Sequence, residues 1–401
     1  MDKTVVIRYL EKEQKASLLK LGIDEEKFIK AKQYAYEQII ESRLKMIENT
    51  MHPEEFKQYS ESYKKEFEST LNQSIQTKYD DPLFQMMIQD FSRLIEEGVK
   101  SWEPPITGKI SEYFKKFTIK KQEIIFGLLP LGEVNACTVA VPESDDFLII
   151  FEQELFTFCQ LICKIMAQCF NIMMNLKNVE EFIEIIEKEG ILKRFQELIL
   201  AFLIHGDPGL APRYLLDPRY DEIVALFRDP LEIFILGHEY SHLLIGHVGH
   251  IENQEVPFDK DGIKVMLYEH NQEFEADFVG LYLCLGALKA KRSDISLGYC
   301  GIELFFHCDH IIELGLCILK TGNEDLYWNR DPTDFLSSTH PPPFIRKDRL
   351  REIMELEFGA DNKAVKSAKI MEGVISKIWE KTRPILVQHY LKGTKVSSKW
   401  K

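Results

Sequence analysis

His238-Glu239-Tyr240-Ser241-His242 is the stretch from which the fold and chemistry of this 401-residue chain can be inferred. On an α-helix its two histidines project from one face a single turn apart, so both imidazoles can turn a nitrogen toward one metal ion. Glu239 lies about 100° around the same helix, beside such an ion but not bound to it. The spacing predicts a zinc site with a carboxylate placed to take a proton from water, whose pKa bound zinc lowers to about 7.

Two histidines leave a zinc site short of one ligand, because catalytic zinc normally has three protein ligands and keeps its fourth position open. Glu273 is the candidate for the third ligand. It precedes Asp277 by four residues, so both carboxylates leave the same face if this stretch is helical. We expect Asp277 to accept the Nδ1 proton of a ligating histidine, His238, and so to fix its tautomer.

A metzincin site is excluded by the residues that follow the motif. That class needs Gly three residues and His six residues past His242, where Ile245 and Val248 stand.

His247 and His250 stay open as alternative ligands. His247 lies about 180° from His238 on an ideal helix, so it faces away unless the helix ends first. His250 follows Gly246 and Gly249, which weaken a continued helix. The favoured interpretation places both near a helix end, where a cationic histidine complements the helix dipole.

The residues around the motif favour a buried helix. Asp229-Pro230-Leu231-Glu232 is typical of a helix start, with Asp as N-cap, Pro at the first helical position and Glu at the third. The stretches 233–236 and 243–245 are apolar nearly all round, which indicates burial. Because buried histidine and glutamate side chains need partners, this context supports a metal site over an uninvolved helix face.

The pairing of His-Glu-x-x-His with Glu-x-x-x-Asp resembles the gluzincin metallopeptidases, and among them the HtpX-like and CaaX-prenyl-protease-like families. His247, five residues past His242, is typical of the HtpX-like family. Ser338-Thr339-His340-Pro341-Pro342, followed by a basic helix with Arg346 and Arg349, resembles the C-terminal His-Pro segment of that family. The resemblance implies a zincin-like metallopeptidase core.

A further segment of the chain resembles the gluzincin edge strand. Residues 133–136, Glu-Val-Asn-Ala, lead through a short turn into residues 147–151. In relatives the matching Asn-Ala backbone binds extended peptide, which implies the same role for Asn135 and Ala136. The likeness covers about residues 120 to 355.

The resemblance also places His340 near the cleft. An imidazole there could hydrogen-bond the oxyanion of a tetrahedral intermediate, which makes His340 a candidate catalytic residue. A structural loop histidine is the alternative, and the sequence does not decide between them.

The chain departs from the membrane-bound relatives in two respects. Only thirty residues separate His242 from Glu273, and no transmembrane helix is predicted. The richest apolar stretch, 155–176, is interrupted by polar residues at steps of three or four. Such a stripe favours a core helix with one wet face over a bilayer span.

Composition limits the remaining classes of function. The net charge of −14 disfavours a dedicated binder of nucleic acid or anionic membranes. Residues 1–22 lack an uninterrupted apolar region, so no signal peptide is predicted. The eight cysteines contain no Cys-x-x-Cys pair and lie mostly in apolar segments, which indicates reduced, buried thiols. We therefore expect a cytoplasmic protein.

The predicted class is α+β, mainly α-helical, in three regions. Residues 1–105 form a helical accessory domain that ends in the linker Trp102-Glu103-Pro104-Pro105. Residues 106–225 hold the edge-strand sheet, with strands at 123–129 and 134–141, and core helices. Residues 226–401 hold the zinc-site helices and the His-Pro segment, and pack with the second region as one catalytic unit.

These expectations combine into a zinc metalloendopeptidase that acts on a protein or peptide substrate. His238, His242 and Glu273 hold Zn²⁺, and Glu239 is the general base. Two alternatives remain. One is a latent toxin or defence effector protease that residues 1–105 hold inactive. The other is a non-catalytic regulatory protein that zinc stabilises.

Overall fold

The computed structural model describes most of the chain. The described residues are 4–20, 22–48, 52–74, 77–101, 124–129, 136–141, 144, 146–176, 179–247, 255–257, 264–266, 270–329 and 340–400. Predictions that concern the linker at 102–105, Asn135, His250 or residues 338–339 lie outside the described residues.

The described residues are mainly helical and include a three-stranded sheet and a two-stranded sheet, which confirms the predicted α+β, mainly α-helical class. The helices are α1 (Thr4–Lys20), α2 (Glu25–Glu48), α3 (Pro53–Ser74), α4 (Pro82–Ser101), α5 (Leu155–Met174), α6 (Val179–Lys188), α7 (Ile191–Leu200), α8 (Asp221–Leu244), α9 (His270–Ala290), α10 (Ile295–Thr321), α11 (Asp325–Trp328), α12 (Pro343–Phe358) and α13 (Lys363–Leu391). The strands are β1 (Ile124–Leu129), β2 (Ala136–Ala140), β3 (Phe147–Glu152), β4 (Glu255–Pro257) and β5 (Lys264–Met266).

The three-stranded sheet has the order β1-β3-β2, with β3 parallel to β1 and antiparallel to β2. Successive side chains of a strand point to opposite faces, and both faces of this sheet are buried. Ile149 of β3 belongs to the main core, whereas Leu148 and Ile150 pack with Val6 and Leu10 of α1. Thus α1 covers one face of the sheet, and α8 packs against β2.

The two edges of this sheet differ. At the β1 edge, Gln14 of α1 donates from Nε2 to the carbonyl of Leu128 at 3.3 Å. Gln85 of α4 donates to the carbonyl of Phe126 at 2.7 Å. Side-chain amides therefore occupy acceptors that an added strand would need. β2 forms the opposite edge, and β5 lies beside it without joining its sheet.

The segment predicted as an accessory domain forms α1 to α4 in the described residues. Phe84, Ile88, Phe91 and Ile95 of α4 belong to the same core as the central helices. α4 packs along α9. The predicted division into three regions stays a prediction.

The helices α8 and α9 cross at a pair of glycines. A Cβ atom on Gly237 would lie 3.2 Å from the carbonyl oxygen of Gly280. A Cβ atom on Gly280 would lie 2.9 Å from the backbone nitrogen of His238. Only glycine lets the two backbones approach this closely. Because Gly237 directly precedes His238, the crossing sets the spacing of the helices where their polar residues meet.

The helix start predicted at residues 229–232 is wrong. α8 begins at Asp221 and continues through Pro230, which lies inside it. Asp229 does not cap the helix, because its carboxylate pairs with Arg228 at 2.8 Å and with Lys291. Burial of the apolar helix among its neighbours outweighs the local start signal.

Glu232, predicted at the third position of a helix, is instead buried in the middle of α8. It is 2% exposed, and its Oε2 accepts no hydrogen bond from the described residues. The nearest cation is Arg228, whose Nε lies 3.7 Å away. Burial raises the pKa of the Glu232 carboxyl to about 8.

By length and composition α5 could cross a membrane, and it is the one such helix among the described residues. Its apolar side chains pack inward, since 61% of its most apolar window is buried within the protein. Cys159, Cys163 and Cys169 lie on this helix. All eight cysteines are free thiols, and seven of them are buried.

Gly280→Ala tests the helix crossing. The added methyl group would force α8 and α9 apart, so we expect a loss of stability of about 1–3 kcal/mol together with weaker metal binding. Urea unfolding and zinc titration measure the two effects. Gly373→Ala on α13 is the matched control, because its Cβ meets nothing within 4 Å. The control is expected to be neutral or slightly stabilising.

Glu232→Gln tests the buried carboxyl. The folded state keeps this proton up to a pH of about 8, whereas the unfolded chain releases it near its ordinary pKa of about 4.3. The wild type should therefore lose stability as the pH rises between these values. The glutamine variant lacks this loss and should be the more stable by a few kcal/mol at pH 9, but not at pH 4. Urea unfolding across this pH range measures the stabilities, and Glu222→Gln is the exposed control. If both variants showed the same pH dependence of stability as the wild type, the role assigned to Glu232 would be wrong.

Candidate metal centre

Three elements bring the predicted site residues together in the protein interior. α8 carries His238, Glu239 and His242, and α9 carries Glu273. All four residues are 5% exposed or less. His340 precedes α12 and reaches the same place from the C-terminal part of the chain. The predicted helical placement of the first four residues is confirmed.

The predicted ligand atoms have the spacing of a tetrahedral zinc site. His238 Nε2 lies 3.2 Å from His242 Nε2 and 3.3 Å from Glu273 Oε2. His242 Nε2 lies 3.5 Å from Glu273 Oε1. Ligands that are about 2.0–2.2 Å from a zinc ion at tetrahedral angles are about 3.3–3.6 Å from one another. The three side chains can therefore hold one zinc ion.

The carboxylate of Glu273 has charged neighbours but no hydrogen bond from the described residues, and Arg346 Nη2 lies 3.9 Å from its Oε2. It is fully buried, and neither oxygen accepts a hydrogen bond from the described residues. Burial opposes its ionisation, but the imidazoles of His340, His242 and His238 hold the pKa of Glu273 well below its usual range. A buried anion without hydrogen bonds is costly unless a cation is beside it. A metal ion bound between Glu273 and the histidines would lower that cost further.

Asp277 orients His238 as predicted. Its Oδ1 lies 3.0 Å from His238 Nδ1 and accepts that proton, which leaves the Nε2 lone pair facing Glu273. Burial lowers the pKa of His238, but the hydrogen bond to Asp277 and the nearby carboxylate of Glu273 outweigh this effect and raise the pKa to about 9. The site thus favours a positive charge at Nε2, which a proton or a metal ion can supply.

Arg346 of α12 holds Asp277 in place, a role that the sequence did not indicate. Its Nε and Nη2 donate to the two carboxylate oxygens of Asp277 at 2.8 and 2.6 Å. Two parallel hydrogen bonds fix the plane of the carboxylate. Asp277 and Arg346 attract each other strongly, so the pKa of Asp277 is lowered despite burial. Arg346 therefore ties α12 to the histidine on α8.

His247 lies next to the site because the helix ends before it, so the condition under which it would face away is not met and its predicted position near a helix end is confirmed. α8 ends at Leu244, and Gly246 has a φ of 77°, so the chain turns back. His247 Nδ1 then lies 3.0 Å from His242 Nδ1, and its Nε2 lies 3.2 Å from Glu275. His247 therefore contacts the predicted ligand His242 on the ring nitrogen that faces away from the metal position, and it is not itself a ligand. Gly246 was the sequence signal for this turn.

Glu239 sits beside the predicted metal position and is held by the sheet. Thr138 of β2 donates from Oγ1 to Glu239 Oε2 at 2.8 Å. Burial raises the pKa of Glu239 to about 7, although the charge of His238 and this hydrogen bond lower it. A carboxylate with that pKa can take up and release a proton near neutral pH. Sequence reasoning missed Thr138, which shares a face of β2 with the predicted substrate residue Ala136.

His340 joins the cluster of potential ligands. His238, Glu273 and His340 offer ligand atoms that all lie within 4.8 Å of one another. His340 Nε2 is 3.4 Å from Glu273 Oε2. Burial lowers the pKa of His340 to about 4, so the imidazole is neutral at pH 7.

Comparison of the chain with protein-family models, with curated proteins and with solved structures found no match. The interpretation of this centre therefore rests on the geometry and chemistry of its own residues.

Asp277→Asn tests the support of His238. The amide would turn an NH₂ group toward Arg346 and weaken the hold on the histidine, so zinc affinity should fall about 10–100-fold. Chelator competition measures the affinity. Asp348→Asn, an exposed position on α12, is the control and should bind zinc like the wild type. Equal affinities in the two variants would argue against the assigned role of Asp277.

Proposed function

We propose that this protein is a zinc-dependent endopeptidase with a zincin-like core, of the gluzincin type and similar to the HtpX-like family. One observation carries the proposal. The imidazoles of His238 and His242 converge at tetrahedral spacing on the buried Glu273, whose carboxylate lacks hydrogen bonds from the described residues, next to the separate carboxylate of Glu239. Two His ligands and one Glu, with a second Glu alongside, make up the residue set of a hydrolytic zinc site.

His238, His242 and Glu273 would hold a zinc ion, which would supply Lewis acidity to a water molecule and to the carbonyl of a peptide bond. Asp277 keeps the Nδ1 proton of His238, so that Nε2 stays available to the metal. Arg346 keeps Asp277 in register through two hydrogen bonds.

Glu239 is the general base in this proposal. It accepts the proton of the attacking water and passes it to the nitrogen of the leaving amine. The pKa of about 7 suits both transfers, because the carboxyl exchanges its proton near neutral pH. Thr138 fixes the rotamer of Glu239 by its hydrogen bond to Oε2.

A peptide substrate would lie extended along β2. This edge strand packs against α8 and carries Thr138, so a peptide paired with it passes close to Glu239. The β1 edge is less suited, because Gln14 and Gln85 already bind its carbonyls. Backbone pairing at Ala136 and Asn135 would give affinity without strong sequence preference.

The proposed setting is the cytoplasm, with a protein or peptide as partner and without a membrane span. Seven buried free thiols support a reducing compartment. The net charge of −14 disfavours nucleic acid and anionic lipid as partners.

Glu239→Gln tests the mechanism. The variant keeps His238, His242 and Glu273, so it should bind about one zinc per chain, as the wild type does. It lacks a proton acceptor, so hydrolysis of labelled casein should fall at least about 100-fold. Metal analysis and the casein assay measure the two properties.

Glu380→Gln is the control, because Glu380 is a glutamate of α13 whose side chain is 57% exposed. It should keep both zinc and activity. Peptidase activity in Glu239→Gln would rule out the assigned base. If the wild type and a variant with residue 340 substituted both bind zinc but cleave no protein, the non-catalytic zinc protein would be favoured.

A further inference from the structure

His340 lies beside the predicted metal position, at the carboxylate of Glu273. Its Nε2 lies 3.4 Å from Glu273 Oε2, the oxygen that also lies 3.3 Å from His238 Nε2. The ring centroids of His340 and His238 are 6.4 Å apart. The distance to Glu273 falls within the 3.3–3.6 Å, roughly, that separates two ligands of one tetrahedral zinc ion. The imidazole is thus close enough to compete with water for the metal.

We propose that His340 is a fourth protein ligand that closes the zinc site in the resting protein and leaves it when the enzyme acts. The inference rests on the proposed function. Four protein ligands are typical of closed zinc sites, whereas catalytic sites keep one position for water. With His340 bound the protein is latent, and with His340 displaced it keeps the His238, His242 and Glu273 set of an open site.

The exposure of the four side chains indicates which one exchanges. Relative side-chain exposure is 23% for His340, 6% for His238, 1% for His242 and 0% for Glu273. The last three lie on long helices in the core, so their displacement would disturb the packing of α8 against α9. His340 lies outside the helices and can leave without unpacking them.

The position of His340 is set by α12. Pro341, Pro342 and Pro343 follow it directly and are buried, which limits the backbone freedom of this segment. One turn into α12, Arg346 binds Asp277. Further along, Arg351 pairs with Glu303 of α10. α12 is therefore anchored to the metal centre and to the core, and it presents His340 at the site.

His340→Ala tests the inference in the full-length, zinc-loaded protein. X-ray absorption at the zinc edge should count three imidazole ligands in the wild type and two in the variant. Zinc affinity, measured by chelator competition, should fall at least about tenfold. Casein hydrolysis should rise, because the fourth position is open to water. Added imidazole should restore the third imidazole signal and suppress the gain in activity.

His52→Ala, an exposed histidine before α3, is the control and should match the wild type in every measurement. Two imidazoles in the wild type, or unchanged zinc affinity in His340→Ala, would overturn the inference. If His340→Ala lost hydrolysis while its zinc coordination was unchanged, the inference would also be overturned. His340 would then be assigned to stabilising the oxyanion of the tetrahedral intermediate. If circular dichroism shows that the alanine variant is unfolded, His340→Gln is measured in the same way.

The same measurements distinguish failure of the proposed peptidase function from failure of the proposal about His340. A wild type without zinc, or hydrolysis retained by Glu239→Gln, rejects the peptidase. A wild type whose zinc has only two imidazole ligands rejects only the proposal that His340 is the fourth ligand.

Discussion

The buried carboxylate of Glu273 is the constraint on which this structure depends. It is ionised, fully buried, and receives no hydrogen bond from the described residues. The pKa values of His242 and His340, at 3.5 and 3.4 Å, are lowered, so these imidazoles bring it no positive charge near pH 7. Positive charge comes from His238 at 3.3 Å, whose pKa is raised to about 9, and from Arg346 at 3.9 Å. An anion in such a place is stable only if a cation is bound beside it. A metal ion bound beside Glu273 would therefore couple its binding to the folding of this centre.

The surrounding elements would place a metal ion at this position within reach of Glu239 and of an edge strand. The glycine contact between Gly237 and Gly280 brings α8 and α9 close enough for one ion to bridge them. Thr138 ties Glu239 to β2, and Arg346 ties Asp277 to α12. Each link joins a site residue to a different element, so the sheet and α12 hold the geometry that the two helices create.

The candidate site was largely predictable, because its central residues follow helical spacing. His238 and His242 share one face by the four-residue period, as do Glu273 and Asp277. The supporting residues were not predictable in this way. Thr138 is 101 residues from Glu239, and Arg346 is 69 residues from Asp277. No periodicity links such pairs. Gly246 indicated a turn before His247, but only the tertiary structure shows that this turn places His247 next to His242.

The fold class was also predictable, whereas the extent of α8 was not. The local pattern at residues 229–232 favours a helix start, yet the helix runs through Pro230 because its apolar surface is buried on several sides.

By itself the sequence determined which residues can share a helix face, and hence that two histidines and two glutamates could serve one metal ion. Only the tertiary structure decided that Glu273 lies between the histidines, that Glu239 is held by β2, and that His340 reaches the same carboxylate. The physical reason is that helical spacing acts over a few residues, whereas charge compensation in the core depends on which distant segments pack together.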